Sequence, residues 1–122
     1  MAIQIKNVTI EDVENSETKR VKQLRAVSKA HGFSLTMDLP EVLCSGFAPK
    51  QEITVLIDNS PISRGDGAQL YVQGRVFKVS TDTDKLEVVG TVGGLRTTMT
   101  ISKPTPAKKR VFSEGVFYMA LL

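Results

Sequence analysis

An alternation of apolar and polar residues with a period of two limits the fold of this chain more than any other feature. Side chains of a β-strand point in turn to the two faces of its sheet, so the pattern predicts strands with one buried face. Many short strands at regular spacing predict an all-β fold, a single closed antiparallel barrel over residues 1–122. The alternating residues are Ile3 and Ile5; Phe33, Leu35, Met37 and Leu39; Ile53, Val55 and Ile57; Tyr71, Gln73, Arg75 and Phe77; Leu86 and Val88; Leu95, Thr97, Met99 and Ile101; and Val116, Tyr118, Ala120 and Leu122.

Turn-forming residues separate the predicted strands, as a barrel requires. In the first strand, Val8 and Ile10 continue the apolar pattern of Ile3 and Ile5 only across a shift of register. We find no internal repeat and no domain linker, and 122 residues suit one domain. The turn signals are Asn59-Ser60-Pro61, Gly65-Asp66-Gly67, Asp82-Thr83-Asp84 and Pro104-Thr105-Pro106.

The segment from Thr18 to His31 fits two structures. As a helix it ends before Gly32, a residue typical of helix C-termini, and it spaces four residues on one face, which are Val21, Leu24, Val27 and His31. As a strand it directs mostly small side chains to one face, which suits the crowded interior of a small barrel; these are Leu24, Ala26, Ser28 and Ala30. Periodicity alone slightly favours the helix.

Composition excludes several classes of protein. Hydrophobic residues make up 41% and charged residues 24% of the chain, which is ordinary for a globular domain. The apolar runs are far shorter than the ~20 residues of a membrane-spanning helix. Residues 1–6 lack the features of a signal peptide, so we expect the protein to stay in the compartment where it is made.

Few residues are suited to catalysis or metal binding. The chain has one cysteine, Cys44, and one histidine, His31, so it has no intrachain disulfide and no zinc site built from thiolates. We interpret Cys44 as a small buried hydrophobic residue. No nucleophile-base pair or carboxylate pair is suggested by local spacing. We therefore expect no catalytic residue, cofactor or metal.

Two short motifs are interpreted as turns. Arg64-Gly65-Asp66 matches an integrin-binding tripeptide, but the chain shows no export signal. The segment from Gly90 to Gly94 has the glycine spacing of a KH-domain clamp, which joins two helices, whereas here strands flank it. A tight turn or a kink where a Cβ would clash explains it better.

Positive charge gathers near the C-terminal end. The net charge is +3, and the last 27 residues contain five basic residues and one acidic residue. Four of them, Lys103, Lys108, Lys109 and Arg110, form a basic loop that is either a solvated connection or a contact for an acidic surface or a nucleic-acid backbone. Tyr71, Arg75, Phe77 and Lys78 also combine rings and cations as some single-strand-binding proteins do, although core packing of the rings is more common.

Several segments resemble one protein family. Tyr71–Val79 is similar to a central strand with a glycine, a basic residue and a Val-aromatic pair, and Val92–Leu95 is similar to a segment ending in Gly-Gly-Leu. Val116–Leu122 resembles an apolar-aromatic terminal strand, while Arg20-Val21 with Leu24, and Met37–Leu39, resemble earlier strands. In this order and spacing they resemble the eighth small subunit of multisubunit DNA-directed RNA polymerases. The short loop 58–69 points to the archaeal form of that subunit, while the basic loop departs from the eukaryotic pattern.

The resemblance implies a fold and a role. The fold is a single antiparallel β-barrel related to the OB-fold, which makes Thr18–His31 a strand. The role is structural: the subunit supports assembly on the outer flank of the polymerase, against the largest subunit, which holds the catalytic magnesium. It also implies a cytoplasmic location in an archaeon, or a nuclear one in a eukaryote. No base-specific nucleic-acid binding, membrane contact or homo-oligomer is expected.

We predict the partner interface from residue chemistry. Gly93, Gly94 and Leu95 allow close backbone approach, Phe117 and Tyr118 are aromatic anchors, and Arg75 bridges to a carboxylate. The alternative hypothesis is a free-standing OB-type module that binds single-stranded nucleic acid through Tyr71, Arg75, Phe77 and the basic loop.

Overall fold

The computed structural model describes residues 3–17, 19–63, 67–82 and 84–122. Within these ranges, antiparallel strands close into a barrel in the order β1-β2-β3-β7-β6-β5-β8-β4, which confirms the predicted single barrel. The elements are β1 (Ile3–Asn15), β2 (Val21–Ser28), β3 (Phe33–Pro40), a 3-10 turn (Glu41–Leu43), β4 (Glu52–Asp58), β5 (Leu70–Asp82), β6 (Lys85–Val92), β7 (Leu95–Ser102), α1 (Pro106–Val111) and β8 (Val116–Leu121). The helices in these ranges are too short to cross a bilayer.

The barrel interior is the hydrophobic core, and alternation decides which residues enter it. In β3 each predicted inward residue is buried and each residue between them is half-exposed. In β8 the inward residues lie between the alternating residues Val116, Tyr118, Ala120 and Leu122. The inward residues of these two strands are Phe33, Leu35, Met37 and Leu39, and Phe117, Met119 and Leu121.

The ambiguous segment forms a strand. β2 pairs with β3 along its whole length, from Val21 opposite Pro40 to Ser28 opposite Phe33. Its inner face carries the small residues that a narrow barrel accepts, with Leu24, Ala26 and Ser28 buried. Ala30, which we had also directed inward, is exposed because the strand has already ended and the chain is turning.

The predicted register shift in β1 is present. Pairing with β4 shifts between Ile5 and Val8, and Asn7 between them has a left-handed φ of 58°. The irregularity bends the strand and restores the inward direction of the apolar residues after it. As a result Val8 and Ile10 are as fully buried as Ile3.

Segments between strands close the two ends of the barrel. The upper end holds α1 and the turns that join β2 to β3 and β5 to β6; there Val111 and Phe112 are buried. The lower end holds the β6-β7 turn and residues 41–51, of which Cys44 and Phe47 are buried. Cys44 is 3% exposed, which confirms its interpretation as a buried hydrophobic residue. The predicted turns at Arg64-Gly65-Asp66 and at Thr83 lie outside the described residues.

The basic loop that we predicted contains a short helix. Thr105 caps α1, since its side-chain oxygen accepts a hydrogen bond from the backbone N–H of Lys108 at 3.3 Å. Pro106 follows at the first helical turn, where a missing N–H costs nothing. Local capping chemistry therefore overrides the prediction of an irregular loop.

Candidate partner-binding site

Three of the segments that carry the family resemblance, Tyr71–Val79, Val92–Leu95 and Val116–Leu122, meet on one wall of the barrel. β5 pairs with β8 from Leu70 to Arg75 and with β6 from Gly74 to Asp82. β6 continues into β7 through the turn after Val92. Segments far apart in the sequence thus form the contiguous sheet β8-β5-β6-β7.

A hollow on the outside of this wall brings together three predicted interface residues. Arg75 lies opposite Thr91 on β6 and has an exposed side chain, and the glycines of the β6-β7 turn form the lower rim. The residues that line the hollow are Gln73, Gly74, Arg75, Thr91, Gly93 and Gly94. The hollow therefore presents a guanidinium next to bare backbone.

The two turn glycines are required by backbone conformation. Gly93 and Gly94 have φ of 58° and 83°, and nothing lies within 4 Å of a Cβ built on either. A two-residue hairpin turn with positive φ at both positions favours glycine and leaves its backbone exposed. The predicted tight turn is confirmed. The Cβ clash applies instead to Gly90, where a Cβ would strike the carbonyl oxygen of Arg75.

Phe117 was wrongly predicted as an interface anchor. It is 0% exposed and makes an edge contact with Phe112, with ring centroids 6.3 Å apart. β8 directs it inward because the neighbouring strand offers Gly74 in the paired position. Leu95 is half-buried on the inner face of β7, so its side chain reaches the surface only in part.

Tyr118 lies on the outer face but within a small cluster. Its ring centroid is 6.4 Å from that of Tyr71. The Tyr71 hydroxyl accepts a hydrogen bond from the backbone N–H of Ile62 at 2.8 Å, which ties the chain after β4 to the wall. Leu56 and Ala120 are opposite each other on this outer face and are buried. The two tyrosines therefore pack against each other, while the Tyr71 side chain stays 36% exposed.

Two more lysines lie near the basic loop at the upper end of the barrel. The backbone N–H of Lys103 donates to the carbonyl of Asp84 at 2.5 Å, and that of Ser102 donates to the carbonyl of Gly32 at 2.9 Å. These bonds bring the β2-β3 and β5-β6 turns beside the predicted basic residues. Lys29 and Lys85 line one hollow there together with Glu11. Sequence reasoning missed both lysines, because nothing local links turns so far apart in the chain.

The prediction of core packing is wrong for Phe77. Its side chain is 82% exposed. The β5-β6 register shifts between Val76 and Lys78, so Phe77 sits in a β-bulge without a cross-strand partner. A bulge changes the direction of the side chain at one residue, and the alternation of apolar and polar residues does not show where a bulge lies.

The described residues contain little reactive chemistry. No group of three or more His, Cys, Asp or Glu that could hold a metal ion is found among them. Burial raises the pKa of the Cys44 thiol, and Glu41 adds to the rise while Lys22 opposes it. Lys22 and Glu41 form an ion pair at 3.9 Å, which solvent screens. We assign no reaction to this group.

Comparisons with known proteins find structural likeness but no family for this chain. No protein-family model matches the chain, and no curated protein matches it. Among solved structures it is similar to the cytoplasmic molybdate-binding protein ModG, with 14% identity and a TM-score of 0.38 over 100% of this chain and 89% of that one. Molybdate binding is a property of that protein, and nothing about this chain's ligand follows from the likeness.

Proposed function

We propose that this chain is a non-catalytic structural subunit of a multisubunit DNA-directed RNA polymerase of archaeal type, docked on the largest subunit. The observation that carries the proposal is the order and spacing of the segments that resemble the family. The fold is consistent with the proposal, because the segments with the clearest resemblance form one wall, β8-β5-β6-β7, with an exposed hollow.

The hollow offers a chemical basis for docking. Arg75 presents a fork of N–H donors suited to a carboxylate of the partner. The turn at Gly93 and Gly94 has no side chain to hold the partner backbone away. A permanent interface buries on the order of 2,000 Å² or more, so the hollow would be the centre of a larger contact.

In this proposal the subunit works in the cytoplasm and contributes stability and assembly. The bond-forming chemistry and its metal belong to the largest subunit. The chain itself binds no cofactor and reads no base sequence.

Affinity purification of the tagged chain from its native cells tests the proposal. Mass spectrometry should identify two very large polypeptides in stoichiometric amounts together with several small ones. Recovery of the chain alone, or with nucleic acid that a nuclease removes, would sink the proposal.

A matched pair of variants tests the hollow. Arg75→Glu with Thr91→Glu replaces one cation by two carboxylates on a cross-strand pair of β5 and β6. Arg25→Glu with Thr36→Glu makes the same change on a cross-strand pair of β2 and β3. In a competition for assembly against the unmodified chain, the first pair should lose and the second should not. Equal incorporation of both would remove the hollow from the interface.

A free-standing module for single-stranded nucleic acid is the second candidate. The exposed ring of Phe77 between Arg75 and Lys78 favours it. Tyr71, however, is held by Ile62 and lies six residues along the strand, roughly 20 Å away at ~3.3 Å per residue. Titration of the chain with oligothymidine at rising salt tests this candidate. For such a module, the logarithm of the binding constant falls with the logarithm of the salt concentration, with a slope of about −0.7 for each phosphate contacted.

A further inference from the structure

The upper half of β5 is a free strand edge in an otherwise closed barrel. Pairing with β8 ends at Arg75, and the N–H of Val76 donates to the carbonyl of Gly115 at 2.8 Å. From Lys78 to Asp82, β5 pairs with β6 on one side only. On the other side, no strand of the described ranges continues the ladder. Its backbone donors and acceptors are therefore available to an added strand.

Apolar side chains are exposed along this edge. Phe77 is 82% and Val79 is 42% exposed. Val79 lies opposite Val88, which is fully buried, so Val79 faces the interior side of the sheet. It stays uncovered because β8 begins only at Val116, opposite Arg75. The free edge therefore lies next to an exposed apolar side chain, Val79, on the interior side of the sheet.

Positive charge surrounds the exposed ring on the outer face. Arg75 and Lys78 flank Phe77, and Arg96 lies across Thr91 from Arg75; all three cations are exposed. In the ladder, the cross-strand neighbours of Arg75 and Lys78 are uncharged: Thr91, Val116 and Val89. Acidic residues come further toward the upper end: Glu87 lies opposite Ser80, and Asp82 is the last residue of β5.

We propose that the edge at residues 77–82 binds an extended, acidic segment of a partner protein as an added β-strand. The partner's backbone completes the ladder, its apolar residues on the interior side cover Val79, and its carboxylates on the outer face meet Arg75 and Lys78 beside Phe77. The inference goes beyond the proposed function, because it concerns the recognition chemistry of the edge and holds for any partner chain.

The free backbone edge favours a protein segment over nucleic acid. A strand satisfies the unpaired N–H and C=O groups at each step, whereas single-stranded nucleic acid binds by stacking successive bases on several rings. Here one ring, Phe77, is freely exposed on β5, and Tyr71 is engaged with Ile62.

The experiment uses the full chain and a synthetic peptide of about ten alternating Val and Glu residues as the probe. Backbone amide resonances of residues 76–82 should shift on titration, and their hydrogen exchange should slow. Phe77→Asp and Lys78→Glu should each weaken binding about tenfold or more. Val42→Asp, at a side chain 79% exposed at the lower end, and Lys6→Glu, at an exposed site on β1, are the matched controls and should bind as the unmodified chain does.

Three results would overturn the inference: no shift at residues 76–82, equal affinity for a peptide with Lys in place of Glu, or displacement of the peptide by oligothymidine from the same amides. The last result would make the edge a nucleic-acid surface. The peptide titration is independent of the affinity purification. A bound peptide with no polymerase recovered would therefore sink only the proposed function.

Discussion

The ring of Phe117 occupies the space in which a side chain on Gly74 would lie. The two residues are opposite each other on β8 and β5, and a Cβ built on Gly74 would come within 2.6 Å of Cε1 of Phe117 and 2.9 Å of the carbonyl oxygen of Thr91. The glycine therefore makes room for the largest side chain of β8 inside the barrel.

Gly74→Ala should lower the free energy of unfolding by about 1–3 kcal/mol, because the added methyl group overpacks a filled core. Urea unfolding followed by circular dichroism measures the change. Gly46→Ala is the control: nothing lies within 4 Å of its built Cβ, and a change within about 0.5 kcal/mol is expected. Adding Phe117→Leu to Gly74→Ala should cost less than the two single changes together. Strict additivity would mean that the ring and the glycine do not meet.

Thr97→Val should stabilise the protein by about 1 kcal/mol. The Thr97 side chain is 0% exposed, and its hydroxyl has no hydrogen-bond partner among the described residues. Valine keeps the shape and removes the unsatisfied polar group. Thermal unfolding compares it with Thr98→Val on the outer face, where little change is expected. A destabilised Thr97→Val protein would reveal a partner for the hydroxyl, such as a buried water.

Thr105→Ala should lower the free energy of unfolding by about 1 kcal/mol through loss of the α1 cap. The threonine oxygen accepts from the N–H of Lys108, and a serine at this position keeps that acceptor. Thr105→Ser should therefore remain close to the unmodified chain in urea unfolding. Equal losses in both variants would show that the methyl group, and not the hydrogen bond, matters.

Cys44 should make stability fall with rising pH. Its pKa is raised by burial, so the folded state holds the thiol proton more tightly than the unfolded state does. The stabilisation is fully present below the ordinary cysteine pKa of about 8.5 and is lost as the pH rises through the raised value. Urea unfolding from neutral to alkaline pH should therefore show a steeper loss for the unmodified chain than for Cys44→Ala. Parallel curves would mean that the thiol is not shielded in the fold.

The strands were predictable where one set of alternating residues is apolar and the other polar. In β3, Phe33 and Leu35 alternate with Ser34 and Thr36, so the inward face is unambiguous. In β8 both sets contain apolar residues, and alternation alone could not tell Phe117 from Tyr118. Gly74 on the facing strand makes that choice, and it lies more than 40 residues earlier in the chain.

The sequence predicted which types of residue form the candidate site, but it did not predict how they are arranged. Arg75, Gly93 and Gly94 were chosen one by one for a guanidinium and for bare backbone, and the β5-β6 pairing brings them to one hollow. Phe77 escaped prediction because a bulge depends on how two strands are paired.

The number and type of most elements, the burial of Cys44 and the turn at Gly93-Gly94 follow from the amino-acid sequence alone, because alternation and backbone conformation are local properties. The strand at Val21–Ser28 was implied by the family resemblance, against the helical periodicity of the segment. Three features came from the tertiary structure and not from any local pattern: the inward ring of Phe117, the free edge after Val76 and the added lysines of the upper end. These depend on register and barrel closure, which join residues distant in the chain, and no local pattern encodes which strand edges will meet.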